Sequence, residues 1–283
     1  MSSDYWCCVV TRDGAKTIGT TLDSILKQTV PPKFLVVVND GSTDNTVDIV
    51  ESWRRTFNEI YLLNTNSRTR DIRRVPKLLN FGLEFAEKGG RPRTSYMMVS
   101  GDDNELSHTY AQEIMEEMDR NPRIAVASGD WIGPQNSVGE KMPHGGGRFV
   151  RMSLMYQIGG RYPVVYGWET WLLYKAMQLG YLVKIYPLIR YTHLRPFQPG
   201  NLTGWGRAMY SLGFPTYFVM LRFAVNFFLP GRGTQSRKSA VTMFAGFISA
   251  KVNPAGLRGM LIDDRPLKNY VKYVCTARLS RLI

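Results

Sequence analysis

Four continuous apolar runs, each followed by an amphipathic stretch, occupy the first half of the chain and restrict it to one kind of architecture. Trp6 to Thr11 (WCCVVT), Phe34 to Asn39 (FLVVVN), Ile60 to Leu63 and Tyr96 to Val99 (YMMV) read as strands buried on both faces. Leu22, Ile25 and Leu26, then Ile49, Trp53 and Phe57, then Leu79, Leu83 and Ala86 recur at helical spacing between them. Ala111, Ile114, Met115 and Met118 repeat that spacing after the fourth run. The pattern predicts an α/β fold with a mainly parallel sheet covered by helices. Such sheets bind ligands at the carboxyl ends of their strands. Asp40 follows the second run there, and Asp102-Asp103 follow the fourth.

After Ile124 to Ser128 the pattern loosens. Gly133 to Arg151 contains Pro134, Pro143 and Gly145-Gly146-Gly147 and reads as a long flexible loop. Thr170 to Leu179 is helical in period, and Leu182 to Tyr186 and Arg190 to His193 are two short strands. Gly204 to Phe228 and Ala240 to Ala250 are strongly apolar with scattered arginines, and Pro215 should kink the first. These features divide the chain into a domain over 1–200 and an extension over 201–283.

The charge follows the same division. From Arg190 onward there are 14 Lys and Arg against Asp263 and Asp264, whereas residues 1–189 hold 22 Lys and Arg against 21 acids. With 44% hydrophobic residues the chain can bury a sizeable core and is not a disordered one. Cys7, Cys8 and Cys275 make no disulfide framework, which predicts a reducing compartment. Met1 to Val10 lack the layout of a secretory signal, and no run of 18 uncharged apolar residues suggests a spanning helix.

Asp102-Asp103 is the main chemical constellation. Two adjacent carboxylates after a buried strand repel one another unless a cation neutralises them, and hard oxygen ligands suit Mg²⁺ or Mn²⁺. A metal there could bridge the phosphates of a nucleotide. Gly-Asp-Asp-Asn is also good turn chemistry. Asp40, in Asn39-Asp40-Gly41-Ser42-Thr43-Asp44, could accept an N–H from a nucleobase, or could serve as a turn or cap residue with Asp44.

Taken together, VVVNDGSTDNT and a later strand ending in GDDN resemble the family 2 glycosyltransferases of GT-A fold. Thr21 to Thr29 (TLDSILKQT) looks like that family's Leu-x-Ser-(Val/Ile)-x-x-Gln-Thr, and Lys77 with Asn80-Phe81-Gly82 resembles its Asn-x-Gly stretch. The resemblance covers roughly residues 5–195. It implies that Thr11 and Asp40 contact the nucleoside, with Lys77 in the same nucleotide-sugar site. Asp102 would bind the ribose or donor sugar, and Asp103 would ligate Mn²⁺ or Mg²⁺. Gly167-Trp168-Glu169-Thr170 stands where the family often carries Glu-Asp, so Glu169 is the expected general base, and a stabilising charge in a helix's first turn is the alternative. His193 would be a metal ligand or a packed core histidine, and Arg195 a phosphate contact or a solvated charge. Trp131 and Trp168 would stack on sugars or pack internally. Two departures stand out. Thr11-Arg12-Asp13-Gly14 replaces the family's Pro-x-Tyr-Asn, and Thr170 replaces the acid after Glu169.

The basic, apolar last third suits helices lying in a membrane interface, although a buried helical pair would show the same residues. No RNA-binding module is present, so nucleic acid is not an expected partner. The sequence therefore points to an inverting, metal-dependent sugar transfer from a nucleotide-sugar donor. The expected acceptor is a glycan or polyisoprenyl-linked hydroxyl at the cytoplasmic face of the membrane. A catalytically inactive membrane scaffold and a sugar-phosphate nucleotidyltransferase are the alternatives.

Overall fold

The computed structural model describes residues 3–65, 73–132, 142–195, 201–229 and 236–279. They form two compact units, the first comprising residues up to 132 with 142–162 and 180–195, the second 163–179 with the described chain from 201 onward. The second unit thus includes 163–179, a segment that the sequence division placed with the first.

In the first unit the apolar runs form strands as expected. In chain order these are β1 (Tyr5–Thr11), α1 (Ile18–Leu26), β2 (Leu35–Asp40), α2 (Thr46–Thr56), β3 (Ile60–Thr65), α3 (Arg74–Lys88), β4 (Tyr96–Gly101), β5 (Asn104–Leu106), α4 (Tyr110–Arg120), β6 (Ile124–Ile132), β7 (Arg148–Arg151), α5 (Met152–Gln157) and β8 (Leu182–His193). The sheet order is β3-β2-β1-β4-β7-β6-β8-β5. β1, β2, β3 and β4 pair in parallel, as do β6 and β8, while β7 and β5 run antiparallel to their neighbours. This mixed, mostly parallel sheet flanked by helices is the GT-A type of α/β fold.

Three local expectations change. Arg148 to Arg151, assigned from its glycines and prolines to a long loop, is strand β7, with Phe149 and Val150 fully buried between β4 and β6. Two buried apolar residues are too short a run to reveal a strand by period. Residues 133–141 of that expected loop lie outside the described residues. The two short strands expected near the end are one strand, β8, whose pairing jumps from Gly129↔Tyr186 to Asp130↔Arg190. Pro187, which has no N–H to give the ladder, falls within that bulge, and Leu188 there is 90% exposed.

One face of the sheet carries Tyr5, Cys7, Val9, Leu35, Val37, Tyr96, Met98 and Phe149, packed with Leu22 and Ile25 of α1 and Ile114 and Met118 of α4. On the other face α3 approaches closely: a Cβ on Gly82 would stand 2.8 Å from Cys8 Sγ. Asn80, two residues before Gly82 on α3, donates to Tyr162 O at 2.8 Å and accepts from Tyr162 N at 2.8 Å. The Asn80-Phe81-Gly82 stretch is therefore explained by packing and a backbone clamp.

The second unit contains α6 (Trp168–Gln178), α7 (Thr203–Ser211), α8 (Thr216–Phe228), α9 (Arg237–Val252), a 3₁₀ turn over Ala255–Leu257 and α10 (Arg265–Leu279). Pro215 separates α7 from α8, so the apolar segment over 204–228 is two helices, not one kinked helix. Met209, Val219, Met243 and Phe247 form its core, and Lys175 Nζ meets Asp264 Oδ2 at 2.8 Å. Among the described residues no helix is long and apolar enough to cross a membrane.

All three cysteines are free and buried. Burial pushes the Cys8 thiol up to about 12 and that of Cys275 to about 11, and it also raises Cys7. Thiols so rarely ionised and so enclosed should not react with an aromatic disulfide reagent at mildly alkaline pH, and all three should react after denaturation. Rapid modification of a native thiol would contradict this packing.

Candidate active site

The carboxyl ends of β1, β2 and β4 lie side by side, because these strands pair in parallel register. Thr11 ends β1 and donates its hydroxyl to Asp102 Oδ2 at 2.5 Å. Arg195, two residues past β8, pairs with Asp102 Oδ1, places Nη2 3.3 Å from Thr17 Oγ1 and Nε 3.9 Å from Asp103 Oδ2. Asp102 is only 6% exposed, and burial raises its pKa above the usual carboxylate range. The Thr11 hydroxyl and the Arg195 charge oppose that rise, and the Asp103 charge adds to it.

The β1–α1 turn makes room for this carboxylate. A Cβ on Gly14 would stand 2.2 Å from Asp102 Oδ2 and 2.6 Å from Thr11 Oγ1, so only glycine fits. The same turn is tied to the loop after β2. Thr43 N donates to Asp13 Oδ1 at 2.8 Å, Asp13 N to Ser42 Oγ at 2.9 Å, and Ala15 N to Asp44 Oδ2 at 3.0 Å. Asp13 keeps a φ of 51° under these restraints. Asp13 and Asp44 thus join two loops, and the Gly-Ser-Thr-Asp sequence after Asp40 serves that purpose.

Asp40 ends β2 and is fully buried. Its Oδ1 accepts from Thr65 Oγ1 at 3.1 Å, and its Oδ2 lies 2.9 Å from Arg74 Nε and 3.7 Å from Arg12 Nη1. Neither Oδ2 nor Arg12 Nη1 has an aligned hydrogen-bond partner among the described residues. The ion pairing neutralises the carboxylate and leaves Oδ2 able to accept an N–H. Arg12 and Arg74 are functional candidates that the motifs did not single out. The one signal for Arg12 was its place directly after Thr11, at the carboxyl end of β1.

His193 stands across the sheet from Asn104, the residue after Asp103. Its ring meets Trp131 and Tyr191 edge-on, each at 5.4 Å between centroids. Burial lowers its pKa, and the nearby Asp103 charge partly offsets that. Trp131 therefore packs on His193. Among the described residues no three His, Cys, Asp or Glu side chains converge as a metal-binding group. Both oxygens of Asp102 are engaged, while Asp103 keeps a side chain 26% exposed. A divalent ion fits this set if one carboxylate, substrate phosphates and water share the coordination, the ordinary arrangement for Mg²⁺.

The structure thus brings together Thr11, Asp102, Asp103, His193 and Arg195. Asp40 forms a separate cluster with Arg12 and Arg74. Lys77 is exposed on α3, one turn beyond Arg74. Glu169 belongs to the second unit, in the first turn of α6.

A protein-family model described as Glycosyl transferase family 2 matches residues 6–176. A poly-beta-1,6-N-acetyl-D-glucosamine synthase from Staphylococcus epidermidis is 25% identical over 118 residues, which are 41% of this chain and 26% of that protein. The chain therefore matches about a quarter of the length of that curated relative. Among solved structures, S. aureus TarS superposes with a TM-score of 0.55 at 15% identity, covering 87% of this chain and 43% of TarS. The mannosyltransferase PcManGT from Pyrobaculum calidifontis, solved with GDP-Man and Mn²⁺, gives 0.56 at 15% identity, covering all of this chain and 81% of that one. These likenesses show the fold, and the family match over most of the described sheet shows the lineage: the chain belongs to glycosyltransferase family 2.

Proposed function

We propose that the protein transfers a sugar from a nucleotide-sugar donor to an acceptor hydroxyl, with inversion at the anomeric carbon. The observation that carries this reading is the row of polar groups at the carboxyl ends of the neighbouring strands β1, β2 and β4, where Thr11 pairs with Asp102 and the buried Asp40 is held by Arg12 and Arg74. Asp40 Oδ2, held among two guanidinium groups without an aligned donor, suits an imide or amine N–H of a nucleobase. The positive surplus of Arg12 and Arg74 over Asp40 suits a nucleotide's negative charge. TarS solved with UDP-GlcNAc and PcManGT with GDP-Man support this class of donor. Lys77, on the same helix as Arg74, extends the positive field.

In this reading Asp103, with His193 beside it, would hold Mn²⁺ or Mg²⁺, and such an ion would supply charge neutralisation to a leaving nucleoside diphosphate. Asp102, fixed by Thr11, orients the ribose or donor sugar. Arg195 exchanges part of its pairing with Asp102 for the phosphates. Glu169 takes the proton of the acceptor hydroxyl while its oxygen forms the new bond to the anomeric carbon. The bond from that carbon to the phosphate oxygen breaks on the opposite face, and the nucleoside diphosphate leaves.

The second unit supports a membrane-bound acceptor, either polyisoprenyl-linked or a lipid-linked glycan, met peripherally at the cytoplasmic face. Met220, Leu221, Phe228 and Leu229 of the α8 region are each at least 44% exposed, and the chain from Arg207 on carries 12 basic residues against two acids. Apolar side chains of this kind enter the acyl boundary while Lys and Arg meet anionic headgroups.

Two outcomes test these readings. Glu169→Gln should reduce transfer and donor hydrolysis by about a hundredfold or more, with donor affinity within about twofold of the wild type. Undiminished hydrolysis in that variant would remove Glu169 from the reaction. The protein should co-sediment with vesicles of phosphatidylcholine containing phosphatidylglycerol and much less with phosphatidylcholine alone, and the double variant Met220→Ser with Phe228→Ser should weaken that binding. Equal binding by the variant would show that this face does not meet the membrane.

A further inference from the structure

Helix α7 is fixed against α9 by a glycine. A Cβ on Gly206 would stand 1.9 Å from Met243 O, so no larger residue fits there and α7 cannot slide along its neighbour. The next residue, Arg207, is thereby held in one place. Its Nη1 donates to Tyr166 Oη at 3.1 Å, and its guanidinium carbon lies 5.7 Å from the centre of that ring. Tyr166 is itself fixed. It is 8% exposed, packs with Ala250 and Leu257, and donates its backbone N–H to Met260 O at 2.9 Å.

This pair stands at the turn that opens α6. Gly167, the residue after Tyr166, lies so close to α7 that a Cβ there would be 3.0 Å from Leu212 Cδ1 and 3.3 Å from Ala208 Cβ. Glu169 follows in the first turn of α6, and all of these residues belong to the second unit. Arg207 has no ion pair among the described residues, and its Nε is buried with no acceptor. Asp264, an acid of the same unit, is taken up by Lys175. With Nη1 spent on Tyr166, the remaining edge of the guanidinium is Nε with Nη2, the fork that grips a phosphate or carboxylate through two parallel hydrogen bonds. A half-buried cation with that edge unmatched is unfavourable unless an anion meets it.

We propose that Arg207 binds the phosphate of a glycosyl-phosphate acceptor, the group that joins a glycan to its lipid. This rests on the glycosyl-transfer reading, in which Glu169 takes the proton of the acceptor hydroxyl. It narrows the acceptor class, because the accepting sugar then stands at or near the phosphate and not far along a glycan. The link is the turn itself: Tyr166 and Glu169 are three residues apart on it. The Tyr166 hydroxyl accepts from Arg207 and keeps its own proton to donate to a second phosphate oxygen. Many side chains serve a neutral sugar hydroxyl, whereas a fixed guanidinium fork selects an oxyanion.

Saturation-transfer NMR on the whole chain, with the donor site filled by UDP or GDP and Mg²⁺, tests this with the 1-phosphates of glucose, galactose, mannose and N-acetylglucosamine as probes. At least one should bind, more tightly than its methyl glycoside, and an equal concentration of inorganic phosphate should leave most of it bound. Arg207→Gln should weaken it by about tenfold or more, with nucleotide affinity within about twofold of the wild type. Arg207→Lys, which keeps the charge without the fork, should weaken it less, and it carries the test with Tyr166→Phe if Arg207→Gln does not fold. Binding unchanged in the variants, no 1-phosphate bound by a wild type that binds nucleotide, or full displacement by inorganic phosphate would overturn the proposal. So would a loss of nucleotide affinity or of phosphatidylglycerol-vesicle binding in Arg207→Gln, which would assign the residue to the donor diphosphate or to bulk headgroups. Failure of the wild type to bind nucleotide would instead count against the donor reading, and the 1-phosphate titration without nucleotide would still decide the role of Arg207.

Discussion

The ion pair between Arg195 and the buried Asp102 is the interaction on which the rest of the site depends. A carboxylate that is 6% exposed, with a second carboxylate as its chain neighbour, is unfavourable without a counter-charge. Arg195 supplies that charge from the end of β8, and Thr11 supplies a hydroxyl from the end of β1. The pair therefore binds the end of the last strand to the first parallel strands. It also forces glycine at position 14, and the turn this creates is the one that Asp13 and Asp44 fasten to the loop after β2. One electrostatic requirement thus reaches from β8 to α2.

Much of this was legible in the sequence. Continuous apolar runs marked β1 to β4, and Asp40 and Asp102 fell at strand ends because each apolar run stops at polar residues that lead into its first acid. The roles of Arg12 and Arg74 were not legible. Their meaning comes from the fold, which brings the end of β1 and the start of α3 to Asp40 across 28 and 34 residues of chain. β7 was hidden for a different reason: two buried residues among glycines carry no detectable period.

The two units divide the physics of the proposed reaction. The first carries acids and bases in near balance and holds the polar corner at its strand ends. The second is helical, basic and rich in exposed apolar side chains. Thr170, where the family often has an acid, leaves Glu169 as the carboxylate that opens α6. The charge asymmetry seen in the sequence therefore follows a structural division, even though 163–179 joins the basic unit.

The most direct test of the account is calorimetric titration of the wild type and Asp103→Ala with UDP-, GDP- and dTDP-sugars, with and without Mn²⁺. The account predicts that one nucleotide sugar binds, that Mn²⁺ strengthens its binding, and that the Mn²⁺ effect disappears in Asp103→Ala. Binding of none of them by a folded wild type, or a Mn²⁺ effect undiminished in the variant, would contradict it.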